Sequence, residues 1–203
     1  MTFVQNQTDA DHRGRQRLPV GVRGAARLWP RVAGRLLALL LGSASAGAVE
    51  PDWGVYDELL RQYVRPATLH GVAINAVDYA GLAADPRLAA AVHAVERFST
   101  TDLENRAERI AFLVNAYNLF TLRLVVEHLP VDSIKDIGGL FRPVWKKTAG
   151  HIDGRAVSLD EIEHQRLRRL GEPRIHMAIV CASVSCPDLR REAYTAAQLD
   201  AQL

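Results

Sequence analysis

Both cysteines of the chain, Cys181 and Cys186, follow the run Arg174-Ile175-His176-Met177-Ala178-Ile179-Val180, so a histidine stands five residues before the first thiol. A thiol is mostly protonated at neutral pH and turns nucleophilic only beside a base or in a positive local field. This stretch brings together a sulfur, a candidate base and the end of an apolar run. The chemistry such a set can do is attack of a thiolate on an acyl or amide carbonyl. Cys186 precedes Pro187; a proline in the first turn of a helix would put that sulfur at the positive end of the helix, which favours thiolate. The same two cysteines can instead be joined as a structural disulfide across four intervening residues. Cys-x4-Cys is neither a zinc-ribbon spacing nor the Cys-x-x-Cys of thiol–disulfide exchange. His151, His164 and His176 add no recognisable ligand spacing, so no metal and no cofactor is assigned.

The partners of the sulfur depend on neighbouring elements. A helix is predicted from Ser158, with Glu161 in the capping-box position, to about Gly171. Its buried face is Leu159, Ile162, Leu167 and Leu170; Glu163 falls within that face and His164 borders it. A carboxylate on an apolar stripe is costly unless paired, so Glu163 should meet a histidine, backbone N–H groups or a cation such as Arg168 or Arg174. Ile175 to Val180 is predicted as a buried strand from its continuous apolar character. In an ideal strand His176 and Cys181 point to opposite faces, because their separation is odd. His164 is therefore a rival base, and His176 reads equally as a satisfied core histidine.

A long helix is predicted from a capping box at Thr101-Asp102-Leu103-Glu104 to His128, stopped by Leu129-Pro130. Ile110, Val114, Tyr117, Thr121 and Val125 form one apolar stripe, with Asn118 inside it and Asn115 beside it. Buried amides must find partners or cost roughly 1–3 kcal/mol. These two are either clamps on a neighbouring loop or orienters of a catalytic group, and the usual fate of buried polar groups favours the clamp.

The other elements follow from periodicity and breakers. Trp53, Val55, Tyr56, Leu59, Leu60, Tyr63 and Val64 make a first helix ended by Arg65-Pro66. Residues 70–80 form a short extended segment leading into a helix capped by Asp78, and another helix runs from Asp85-Pro86 to about Phe98. Residues 132–150, rich in glycine, proline and aromatics, read as an irregular packed loop. A strand pair turns at Asp153-Gly154. Pro187 opens a helix or turn, and a helical pattern from Thr195 to Gln202 reaches the last residue, which suggests further elements beyond Leu203. The expected class is α+β, mostly helical with a small antiparallel sheet.

The 203 residues carry a net charge of +2, with 48% apolar and 24% charged residues, the composition of an ordinary globular domain. Arg13, Arg15, Arg17, Arg23, Arg27, Arg31 and Arg35 supply that excess, and the remainder is slightly acidic, which argues against nucleic acid as a partner. Arg31 to Arg35, the apolar run Leu36 to Leu41 and the small residues Ser43 to Ala48 follow one another as in a secretory signal peptide. Ala44-x-Ala46 favours cleavage after Ala46, with Ala48 the alternative. An amphipathic N-terminal helix or a lone anchor segment is the competing reading. The apolar run is too short for a stable bilayer span, which takes about 20 residues. Residues 1–48 are thus expected as an unstructured basic segment plus signal, its length suggesting a start codon upstream of the true one. Residues 49–203 are expected as a single domain located in the periplasm or secreted.

Seven motifs in order carry a likeness to a known family. They are Ala111-Phe112-Leu113-Val114-Asn115-Ala116-Tyr117-Asn118, Ser133 to Gly139, Trp145-Lys146-Lys147, Ser158 to His164 and Arg174-Ile175-His176. Cys181-Ala182-Ser183-x-Ser185-Cys186-Pro187 and Glu192-Ala193-Tyr194-Thr195 complete the set. Over residues 100–203 they closely resemble the domain of unknown function 547. That resemblance implies a fold similar to papain-like and transglutaminase-like cysteine enzymes, with a Glu-His-Cys constellation in changed chain order. Carried onto this chain, the cysteine is Cys181, the histidine His164 or His176, and the acid Glu163. Plant relatives with serine at the position of Cys186 favour Cys181 as the nucleophile. The expected activity is that of a cysteine hydrolase or acyltransferase on a peptide, amide or ester. In it Glu163 or Asn115 orients the histidine, and backbone N–H groups around Ser183 to Cys186 hold the oxyanion. The alternative is a non-catalytic binding or scaffold module with a structural thiol pair.

Overall fold

A computed structural model describes residues 50–69, 71–131, 133–138, 143–182 and 186–203. The basic segment and signal peptide expected over 1–48 lie outside the described residues. The architecture is mostly helical α+β, arranged around one helix. Helix α1 spans Gly54–Tyr63, α2 Tyr79–Ala83, α3 Arg87–Arg97, α4 Arg106–Val126 and α5 Leu199–Gln202. Strands β1 (Val64–Leu69) and β2 (Val72–Val77) form one antiparallel hairpin, and β3 (Thr148–Ile152) and β4 (Arg155–Ser158) form a second. Among the described residues the expected small antiparallel sheet takes the form of two separate two-stranded sheets.

Helix α4 is the centre. Every residue from Ile110 to Leu122 is buried, because α2, α3, β3 and the segment after β4 all pack against it. The single stripe expected from the periodicity is too narrow: a helix that is apolar nearly all round must be enclosed. By length and composition α4 could also cross a membrane, but 83% of its most apolar window is buried inside the protein, as in a core helix. Its approach to β3 needs Gly150, since a Cβ there would overlap the ring of Phe120.

The helix starts four residues later than the sequence suggests. Thr100–Asp102 is a short 3-10 turn, and Asn105 is the N-cap of α4. The Asn105 side chain accepts from the Glu108 N–H at 3.0 Å, while the Glu108 carboxylate accepts from the N–H groups of Glu104 at 2.7 Å and Asn105 at 3.3 Å. Asn105 caps the helix in place of Thr101 because, with Glu108, it satisfies three donors at once.

The Arg65-Pro66 breaker ends α1 as expected but leads directly into β1, which the sequence reading did not foresee. Pro66 pairs opposite Asn75 in a two-stranded ladder where both strands are edges, so its missing N–H is tolerated. The Asp153-Gly154 turn is formed as expected, with φ of 53° and 71° at its two central residues. Two successive positive φ values suit the right-handed twist of the flanking strands. Asp78 caps α2 as expected, accepting from the Gly81 N–H at 2.9 Å.

The two candidate caps separate by mutation. Asn105→Ala is expected to lower unfolding free energy by about 1 kcal/mol, whereas Thr101→Ala should change it by a few tenths. Urea denaturation of both variants checks this, and a larger loss at Thr101 would restore the earlier start.

Candidate functional site

The segment before the first cysteine is not a strand. Pro173–Met177 is a 3-10 turn with proline in its first position, capped by the Glu172 carboxylate, which accepts from the Arg174 N–H at 3.2 Å. Beyond it the chain is held by a side chain rather than by a neighbouring strand. The Asn118 amide donates to the Ala178 carbonyl at 2.9 Å, and its oxygen accepts from the Val180 N–H at 2.9 Å. Strand-like backbone groups are thereby satisfied without a sheet. Without a strand, His176 and Cys181 are not constrained to opposite faces. His176 is exposed, not a core histidine.

Asn115 acts in the same way on a different segment. Its amide donates to the Tyr194 carbonyl at 2.8 Å and its oxygen accepts from the Tyr194 N–H at 2.9 Å. Both asparagines of the helix are clamps on backbone, and Asn115 has its two groups committed away from either histidine.

Cys181 and Cys186 are joined in a disulfide with a Cα–Cα separation of 6.1 Å, inside the ordinary range. Ala182 turns the chain immediately after Cys181 with φ of 52°, an uncommon conformation for a residue with a side chain. Pro187 does not open a helix: residues 187–190 have no regular structure, so Cys186 gains no helix terminus. The oxyanion donors expected at Ser183 to Ser185 lie outside the described residues.

The acid and the second histidine come from the segment after β4. Ser158 caps it as expected, accepting from the Glu161 N–H at 3.1 Å, and Gly171 ends it with φ of 69°. Between them, Glu161–Leu167 is wound as a π-helix, with the Arg168 N–H bonded to the Glu163 carbonyl five residues back. Wider winding brings residues five apart onto one side, where an α-helix would hold them well apart. Arg166 meets Glu161 at 2.9 Å and Arg168 meets Glu163 at 2.8 Å. Of the two arginines proposed as cation for Glu163, Arg168 is the partner. Arg174 goes to Glu172 at 2.7 Å and to Asp200 at 2.8 Å.

Glu163 is also the carboxylate both histidines approach. The Nδ1 atoms of His164 and His176 lie 3.7 Å and 3.9 Å from its Oε1. Those distances are ion-pair separations and too long for hydrogen bonds. A cavity of about 230 Å³ is lined by Tyr117, Trp145, Asp160, Glu163, His164 and Cys181. Three predicted residues, Cys181, His164 and Glu163, therefore line one space. His176 reaches the cluster through Glu163 without lining the cavity; Asn115 and Cys186 are not among the lining residues.

Tyr117, Trp145 and Asp160 are lining residues that the sequence reading did not single out. Tyr117 sits on the α4 stripe and Trp145 in the packed loop, so both read as core; Asp160 reads as a helix-start acid. Burial, then the charges of Glu163 and Asp160, push the Tyr117 hydroxyl well above its usual value, so it stays a neutral donor. Among the described residues no group of three His, Cys, Asp or Glu is arranged to hold a metal ion.

Two outcomes follow from this scaffolding. Asn118→Ala removes the partners of one buried carbonyl and one N–H, and should cost about 2–4 kcal/mol in chemical denaturation. Glu172 is held down at about 2, chiefly by the Arg174 side chain and then, against an opposing desolvation effect, by the Arg174 N–H and by Arg106. A depressed carboxyl stabilises the fold above its unfolded value and loses that contribution as pH falls through the folded one. The stability difference between the native chain and Glu172→Gln should be constant above about pH 5 and vanish towards about pH 2. Unfolding curves across that range check it.

Residues 100–203 match the model of the family described as Protein of unknown function, DUF547. Neither a curated protein nor a solved structure matches the chain.

Proposed function

We propose, for a chain that belongs to the family of proteins of unknown function DUF547, a cysteine-dependent hydrolase or acyltransferase acting on an amide or ester. The observation that carries this reading is that Cys181, His164 and Glu163 line one cavity. In this scheme His164 takes the proton of the Cys181 thiol, the thiolate attacks the carbonyl carbon, and the electron pair of the C=O bond moves to oxygen. Collapse of the adduct breaks the bond to the leaving amine or alcohol, which takes a proton from His164. Water or another acceptor then attacks the thioester and returns the thiol. Glu163, shared between Arg168 and the two histidines, holds the imidazole of His164 in the site. Tyr117 supplies a neutral hydroxyl from the cavity wall.

A sulfur in a disulfide has no thiolate, so the activity belongs to the reduced form. A dithiol reductant would convert the Cys181–Cys186 bond into two thiols and be oxidised in turn. Export to the periplasm or beyond is part of the same reading, supported by the basic flank, apolar run and small residues up to Ala48. There the oxidised form is the resting one.

The second reading is a binding module in which the disulfide is structural. The bond between Cys181 and Cys186 favours it, as does the commitment of Asn115 and Asn118 to holding backbone. Iodoacetamide labelling of the folded protein, followed by mass spectrometry, separates the two. The catalytic reading expects no labelling before reduction and, after it, alkylation of Cys181 at least tenfold faster than of Cys186, slowed by His164→Ala. Equal labelling of both cysteines, indifferent to His164, would leave the binding module as the better account.

A further inference from the structure

The walls of the cavity carry a charge pattern that restricts what can enter it. Among the described residues its charged lining groups are the carboxylates of Asp160 and Glu163, with His164 the single imidazole, and neither lysine nor arginine is among them. Glu163 is matched from outside the lining by Arg168 at 2.8 Å. Among the described residues no cation matches Asp160. It stands at the head of the π-helix yet makes no capping hydrogen bond, and it has no ion pair among the described residues. Lys147, close in sequence to Trp145, is committed to the Ile137 carbonyl at 2.5 Å.

A carboxylate without a cation beside an aromatic wall is the arrangement that attracts an ammonium group. The carboxylate offers charge and acceptor oxygens, and an indole in the wall, here Trp145, offers the attraction of its ring quadrupole to a cation. An anionic group would meet two carboxylates at once. The volume of about 230 Å³ is below the roughly 300–1,000 Å³ usual for whole small-molecule ligands. It suits a side-chain-sized head of a larger substrate.

We infer that the cavity recognises a primary ammonium group on an unbranched alkyl chain, seated against Asp160 and Trp145. The inference rests on the reading of this cavity as a substrate site, and it names the class of substrate: an amine-bearing chain such as a lysine-like side chain. The Tyr117 hydroxyl, raised first by burial and then by the charges of Glu163 and Asp160, agrees with this placement.

The test uses the oxidised full chain, where no thiol can react, and three probes of similar size: n-butylamine, n-butanol and butyrate. Binding is followed at neutral pH by NMR, through saturable shifts of the Trp145 indole N–H. Butylammonium should bind at least tenfold more tightly than butanol, and butyrate should not bind. Asp160→Asn should weaken butylammonium at least fivefold while leaving butanol unchanged, and Asp160→Glu should restore most of the difference. Equal binding of amine and alcohol would overturn the inference, and so would indifference to Asp160→Asn in a folded variant. If Asp160→Asn does not fold, the amine-to-alcohol ratio on the native chain decides by itself. The two levels fail separately. Amine selectivity without preferential Cys181 alkylation after reduction leaves a cation-binding module and ends the catalytic reading. Rapid Cys181 alkylation without amine selectivity ends this inference alone.

Discussion

A helix enclosed on every side has no solvent face on which to place a polar residue. That constraint governs this fold. Helix α4 is buried continuously from Ile110 to Leu122, so the amides of Asn115 and Asn118 have only protein to bond with. Each finds a backbone donor and a backbone acceptor on a segment distant in sequence, Tyr194 for one and Ala178 with Val180 for the other. Leaving these groups unpaired would be costly in a low-dielectric interior, so the pairs operate as fixed points. The irregular C-terminal half of the domain hangs from them. The lead into Cys181 is set by a side chain of the core helix and not by a sheet.

The second constraint is electrostatic. Glu163 lies on a face whose neighbours are buried leucines and isoleucine, where an isolated carboxylate would be expensive. Winding the segment as a π-helix brings Arg168 round to it, and the same winding pairs Glu161 with Arg166. The widened turn also sets His164 beside Glu163 on the cavity side. Departure from α-helical winding here serves charge pairing and site geometry together, consistent with the tendency of π segments to occur at functional positions. Asp160, one residue before the π-helix, is left facing the cavity with its charge unmatched among the described residues.

Sequence alone was enough for the helices α1, α3 and α4, the Asp153-Gly154 hairpin, the Asp78 and Ser158 caps, and the likeness over residues 100–203. All of these depend on short-range periodicity, on turn residues whose φ is nearly dictated by type, or on side chains that bond within three residues. It also marked Cys181, Cys186, His164, His176 and Glu163 as candidates and left Asn115 and Asn118 between clamp and orienter, since a polar residue on an apolar stripe must have a partner. Tertiary structure decided which partners those were. It set the start of α4 at Asn105, the hairpin that begins at Val64 and the winding that gives Glu163 to Arg168. It also joined Cys181 to Cys186 and replaced the expected strand at Ile175–Val180 by a 3-10 turn. These outcomes turn on contacts between residues tens of positions apart, and the same apolar run serves a strand or a buried turn equally well until Asn118 supplies the hydrogen bonds that choose between them.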